Sequence, residues 1–274
     1  MPEITAADGT KLAFSDEGEG PAVLCLSGLT RDARDFDYLM PHLAGYRVIR
    51  PDYRGRGRSD WADPTSYSVP QECADQIALL DHLGLAKVPV IGTSRGGLVA
   101  MVLALTARDR LAGVCLNDVG PVLAKAGLDK IGGYIGRRPK YRTQAEMVAA
   151  MPGLYPEFHG VPESRWAEEV SHHTVQTDDG LGLTYDPKLR DAVLPMLSAP
   201  PPENPWPLFE AFAGLPLCLI RGANSDLLAP EAAAEMRARR PDMIFAEVPG
   251  RGHIPFLDEP EAVAAIHAWL ELCK

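Results

Sequence analysis

Six short, apolar-rich runs punctuate the chain: AVLCLS (22–27), YRVIR (46–50), KVPVIG (87–92), LAGVCLN (111–117), LPLCLI (215–220) and MIFAEV (243–248). A strand with one wet face alternates apolar with polar, whereas runs like these suit strands buried on both faces. Between them lie segments with helical spacing. In 69–83, Val69, Cys73, Ile77, Leu80 and Leu83 form one stripe. Segment 230–240 opens on Pro230 and Glu231 and closes on Arg239, Arg240 and Pro241, the order that the helix dipole favours. The last helix is announced by Asp258 and Glu261, a pair resembling a capping box, ahead of Val263, Ile266 and Leu270. Near the N-terminus, Ile4–Thr5 and Lys11–Phe14 flank Asp8-Gly9, a hairpin signal. Strand and helix in alternation predict an α/β architecture: a mostly parallel central sheet with helices on both faces.

The alternation fails between residues 122 and 205. That stretch carries several glycines (GLDKIGGYIG), aromatics that look exposed and a short helical pattern around 144–150. It ends in a proline-rich joint, APPPENPWP (199–207). The expectation is a core domain of residues 1–121 plus 206–274 and an inserted, mainly helical lid of residues 122–205.

The chemistry concentrates in VIGTSRGGLVAMVLAL, where Gly92-Thr93-Ser94-Arg95-Gly96 stands between a buried strand and a helical run. G-x-S-x-G in that context lifts a serine hydroxyl clear of the sheet on a strained turn, with glycines letting neighbouring backbone pass. The helix behind it points positive charge at a developing oxyanion. A hydroxyl is a weak nucleophile, so a base and an orienting acid must follow, in the order Ser, acid, His. His253 in PGRGHIPFLDEP lies in a loop between a strand and the last helix and is the candidate base. His42, His82 and His267 fall in helical patterns, and His159, His172 and His173 in the insertion. Asp226, in the turn RGANSDLLAP, is the preferred acid. Asp118, in LNDVGP after the preceding strand, is its rival and otherwise serves the junction with the insertion. Asp52 is assigned a structural role in its glycine-arginine turn. The N–H of Arg95 and that of Leu29, in the turn Ser27-Gly28-Leu29-Thr30, are the expected oxyanion donors.

Composition excludes more than it selects. With 27 basic and 37 acidic residues, the net charge of −10 repels phosphate backbones, so no nucleic-acid partner is expected. The five cysteines form an odd set without CxxC, and Cys25, Cys115 and Cys218 sit inside apolar runs, as buried free thiols would. No signal-peptide stretch opens the sequence, and the longest uncharged stretch, 96–107, is too short to span a bilayer. A cytoplasmic protein with no membrane partner is expected. G-x-G-x-x-G, Walker A and H-E-x-x-H patterns are absent and His172-His173 has no second ligand cluster nearby, so neither cofactor nor metal is expected.

Through SGLT, DYRGRGRSD, GTSRGG, RGANSD and GRGHIPF, in that order, the chain resembles the α/β-hydrolase superfamily over essentially its full length. The resemblance implies a lid inserted after the sixth strand. It also departs from common usage: Ser-Gly replaces His-Gly in the first turn, and Arg95 replaces the usual Met or Gln. The Arg95 side chain either bonds within the turn or biases the pocket towards a substrate carboxylate; the structural role is preferred. Ser94 argues against the epoxide hydrolases and haloalkane dehalogenases, which use aspartate there. The His-Gly-Gly-Pro turn of proline iminopeptidases is missing, and Ile254 stands where carbon–carbon bond hydrolases of ring-fission products often carry Trp. The expected activity is ester, lactone or thioester hydrolysis of a small molecule, in the manner of a carboxylesterase or enol-lactonase, with perhydrolysis as a side reaction. The alternatives are a carbon–carbon bond hydrolase and a small-molecule receptor on the same fold. Tyr134, Tyr155, Phe158, Trp166 and Tyr185 are either pocket walls or the insertion's own core.

Overall fold

The computed structural model describes residues 2–200 and 202–274. Its elements, in chain order, are β1 (Glu3–Thr5), β2 (Lys11–Glu17), β3 (Ala22–Leu26), β4 (Arg47–Pro51), α1 (Val69–His82), β5 (Val88–Thr93), α2 (Arg95–Thr106) and β6 (Leu111–Asn117). There follow α3 (Lys125–Tyr134), α4 (Gln144–Leu154), α5 (Glu163–His173), β7 (Thr174–Thr177), β8 (Gly180–Leu183) and α6 (Leu189–Ser198). The chain closes with α7 (Trp206–Glu210), β9 (Leu217–Gly222), α8 (Pro230–Arg239), β10 (Ile244–Val248) and α9 (Pro260–Leu272).

Eight strands form one sheet in the order β1-β2-β4-β3-β5-β6-β9-β10. The β1-β2 and β2-β4 pairs are antiparallel, and every pair from β4 to β10 is parallel. Side chains alternate across the pleat. Leu24, Leu26, Val90, Val114, Leu116, Leu217 and Leu219 therefore pack on one face, with α1, α2, α7 and α8. Val23, Cys25, Ile91, Cys115, Cys218 and Ile220 pack on the other, beneath Ile266, Trp269 and Leu270 of α9. All five thiols are free, and all but Cys273 are buried.

Helix ends follow local chemistry. Ser68 caps α1 by accepting the Gln71 N–H, and Thr143 caps α4 through the Glu146 N–H. The expected capping box at α9 does not form. That helix starts at Pro260, and Asp258 instead accepts from Nη1 and Nη2 of Arg165, at 3.2 and 2.5 Å.

Segment 122–205 comprises four helices and the β7-β8 hairpin among the described residues. It holds two small cores, each completed by a residue from outside it. Ile135, Tyr185, Leu189 and Val193 close on Tyr67, while Val148, Met151, Trp166 and Val170 close on Phe256. Pro201 of the proline-rich joint lies outside the described residues, and α7 begins within that joint. No helix among the described residues is long and apolar enough to cross a membrane.

Candidate active site

The turn from β5 to α2 places Ser94 at φ +50° and ψ −110°, a conformation strained for any residue with a Cβ. Close approach makes it possible. A Cβ on Gly92 would lie 2.7 Å from the Gly96 backbone, and one on Gly96 would lie 2.1 Å from the Leu26 carbonyl oxygen. The two glycines of G-x-S-x-G thus let β3, β5 and α2 meet beneath the serine. The Ser94 N–H donates to the Asn117 carbonyl (3.0 Å), and the Asn117 amide spans Thr93 and the Pro255 carbonyl (3.2 Å each). The ends of β5 and β6 are therefore fastened to the histidine loop.

Ser94 and His253 are brought together as expected, with Nε2 2.9 Å from Oγ. The acid is different. Asp118, not Asp226, faces the other ring nitrogen, its Oδ2 2.7 Å from Nδ1. Asp118 follows β6 at φ +55° and its side chain is fully buried. A buried carboxylate needs donors. Gly222 N–H supplies one at 2.9 Å, and the Ser225 hydroxyl another at 2.5 Å. The Ser225 oxygen already accepts from the N–H groups of Leu227 and Leu228, which leaves its hydrogen for Asp118. With two donors in place, the Asp118 oxygen towards His253 is an acceptor and selects the tautomer carrying its proton on Nδ1. That leaves Nε2 free to take the Ser94 proton.

Asp226 is one residue past Ser225, yet its carboxylate turns to Lys130 of α3 (3.1 Å), and its carbonyl accepts the Gly127 N–H (3.0 Å). The expectation that it orients His253 is corrected, and the junction role first given to Asp118 belongs to Asp226. Sheet order carries the reason. β6 lies beside β5, so a residue ending β6 stands next to Ser94, whereas β9 is one strand further away. The role of Ser225 was not read from the sequence; its only signal is a hydroxyl beside Asp226 in the same turn.

Arg95 is the first residue of α2, so its N–H is among those without an intrahelical acceptor. Its side chain runs into the protein, with Nε on Glu72 at 2.7 Å and Nη2 on the Tyr67 carbonyl at 3.4 Å. Leu29 sits in the turn after β3, its carbonyl held by Arg56 Nε at 2.9 Å. Glu72 is wholly buried, and burial opposes its charge. The flanking Arg56 and Arg95 more than offset that and keep its carboxyl below the usual range. Asp52 accepts the N–H groups of Ala33 and Arg58, and burial raises its pKa.

Of the aromatics in the insertion, Trp166 and Phe158 pack against Tyr155 and Phe256, and Tyr185 is buried against Tyr67 and Ile135. Tyr134, by contrast, is largely exposed. Burial raises the Tyr155 phenol, which feels the charge of Arg31, two residues beyond Leu29. Arg31 bonds Asp35 (2.6 Å), Glu169 (3.1 Å) and the His173 ring (2.8 Å). Among the described residues, no group of three or more His, Cys, Asp or Glu side chains is placed to hold a metal ion.

Comparison with known proteins agrees with this architecture. A model of the alpha/beta hydrolase family matches residues 23–266. The chain is 39% identical to the 3-hydroxybutyrate-oligomer hydrolase of Cupriavidus necator, over 95% of this chain and 93% of that one. An alpha/beta hydrolase of Novosphingobium aromaticivorans superposes with a TM-score of 0.89 at 40% identity, covering 99% and 97% of the two chains. A thermophilic esterase from Thermogutta terrifontis superposes at 0.73 with 27% identity, covering 99% and 98%.

Proposed function

Because the chain belongs to the alpha/beta hydrolase family, we propose that this hydrolase cleaves carboxylic esters or lactones of small molecules through Ser94, His253 and Asp118. The observation that carries the reading is the unbroken line from Asp118 Oδ2 through the imidazole to Ser94 Oγ, at 2.7 and 2.9 Å. Ser94 Oγ attacks the substrate carbonyl carbon while His253 Nε2 takes its proton, and Asp118 supports the imidazolium that forms. The carbonyl oxygen becomes an oxyanion held by the N–H groups of Arg95 and Leu29. Collapse breaks the ester C–O bond, His253 gives its proton to the leaving alkoxide, and an acyl-Ser94 intermediate remains. Water, deprotonated by His253, then releases the acid.

Segment 122–205 acts as a lid in this reading. Its helix α3 rests on the Asp226 loop, where the Gly127 N–H donates to the Asp226 carbonyl. The name of the Cupriavidus necator relative makes short 3-hydroxybutyrate oligoesters the first substrates to try. The test is a rate screen over those oligoesters, p-nitrophenyl esters of rising chain length, aryl esters and lactones, on wild type and Ser94→Ala. The variant should stay folded and lose about 10³-fold or more in kcat. A fluorophosphonate should label the wild type at Ser94. Labelling at another serine, or full activity in the variant, refutes the assignment.

A further inference from the structure

Three charged side chains lie beneath the nucleophile turn almost out of reach of water: Arg56 at 1% exposure, Glu72 at 0% and Arg95 at 5%. Glu72 Oε2 accepts Arg95 Nε at 2.7 Å. Glu72 Oε1 lies 2.8 Å from Arg56 Nη2, an ion-pair contact poorly aligned as a hydrogen bond. Arg56 Nε in turn donates to the Leu29 carbonyl at 2.9 Å, and its Nη1 to the Arg54 carbonyl at 2.7 Å. The rings of Tyr53 and Tyr67 stand 5.6 and 5.5 Å from the Arg56 guanidinium.

Two cations around one anion are a poor way to gain stability, since apolar side chains of similar volume often do as well. What such a cluster does supply is fixed relative position. Here the line of contacts has two ends, the Leu29 turn and Arg95, and these are the two segments to which the proposed mechanism assigns the oxyanion donors. We infer that Glu72 is a positioning residue that sets the separation of the two oxyanion donors, holding Arg95 directly and Leu29 through Arg56. The inference rests on the proposed roles of Ser94, Leu29 and Arg95. A donor pair serves the transition state only when both N–H groups meet the oxyanion together, so loosening the clamp reduces kcat far more than ground-state binding.

The experiment compares wild type, Glu72→Gln and Arg95→Met, with rates divided by the Ser94 sites that a fluorophosphonate titrates, so that only folded enzyme counts. Glu72→Gln should lower kcat per site by about 10- to 100-fold with KM within about twofold. An alkyl trifluoromethyl ketone provides the readout that a purely structural role would not move. It adds Ser94 Oγ at its carbonyl carbon, passes the serine proton to His253 and leaves an anionic oxygen on the donors. Its affinity should fall by the same factor as kcat/KM. Arg95→Met leaves Arg56 and Glu72 paired one to one, removes one burial problem and should show the same signature to a smaller degree. Unchanged kcat per site and unchanged ketone affinity in both variants overturn the clamp while the Ser94 assignment stands. A wild type that is not labelled at Ser94 overturns the nucleophile and the clamp with it.

Discussion

Replacing Asp118 by Asn keeps the shape of the side chain and leaves it only one acceptor oxygen. In the native site one carboxylate oxygen receives Gly222 N–H at 2.9 Å, while the other serves both the Ser225 hydroxyl at 2.5 Å and His253 Nδ1 at 2.7 Å. If the amide oxygen keeps Gly222, the NH₂ faces Nδ1 and forces the imidazole proton onto Nε2, against the Ser94 hydroxyl it must deprotonate. If the amide flips, its NH₂ confronts the Gly222 N–H, and two buried donors are left opposed. Either way proton transfer loses its support. The same change in a serine protease costs about 10⁴ in kcat, so a loss of about 10³–10⁴, or ~4–5 kcal/mol of barrier, is expected here. Asp226→Asn breaks only a partly exposed contact with Lys130, which keeps Glu157 as a second partner. Such a pair is worth ~0–1 kcal/mol, so the loss should stay below about fivefold even if all of it reached the barrier. Initial rates on p-nitrophenyl butyrate, divided by titrated Ser94 sites, decide the matter. An active Asp118→Asn beside an inactive Asp226→Asn would refute the reasoning.

Trp166, at 4% exposure, packs on Tyr155, Phe158 and Phe256, so Trp166→Ala should destabilise the protein by ~3–5 kcal/mol in urea unfolding; a loss under 1 kcal/mol would show that this cluster adds little. Burial opposes the charge of Glu169, but Arg31 and His173 outweigh it and hold the carboxyl well below its usual range. A depressed folded pKa gives stability that is present above the unfolded value, about 4.3, and is lost as pH falls towards the folded one. The stability gap between wild type and Glu169→Gln should therefore be widest near neutrality and narrow below about pH 5; a gap constant down to about pH 3 would refute the charge-based account.

The apolar runs reached the parallel sheet because burial on both faces leaves a strand little choice of composition, and β3, β5, β6 and β9 fall within two residues of the expected segments. Ser94 and His253 were legible for a local reason: each sits in a turn whose glycines and flanking strand define it. Asp118 was harder to rank because its part depends on which strands are neighbours, and sheet order is a long-range property that no window of sequence contains. The partners of Arg95 were hidden likewise, since Glu72 and Arg56 are 23 and 39 residues away and meet it only in the core. The glycines of the insertion mark where the strand–helix alternation stops, and Gly127 has a packing reason that only the structure shows. In α3, Gly127 packs against Leu227, where a Cβ would stand 2.7 Å from a methyl, so glycine there marks a tight contact and not a loop.

Ser94 and Asp118 occupy the ends of adjacent parallel strands, β5 and β6, whose neighbouring backbones repeat at about 4.8 Å. The spacing between the proposed nucleophile and acid is thus inherited from the hydrogen-bond ladder and owes nothing to segment 122–205. With the proposed lid role, chemistry and selectivity fall to separate parts of the chain and can drift independently. A library confined to α3 and α4 should change which esters are accepted while leaving acylation machinery intact, whereas substitutions along β5 and β6 would alter the reaction for every substrate alike.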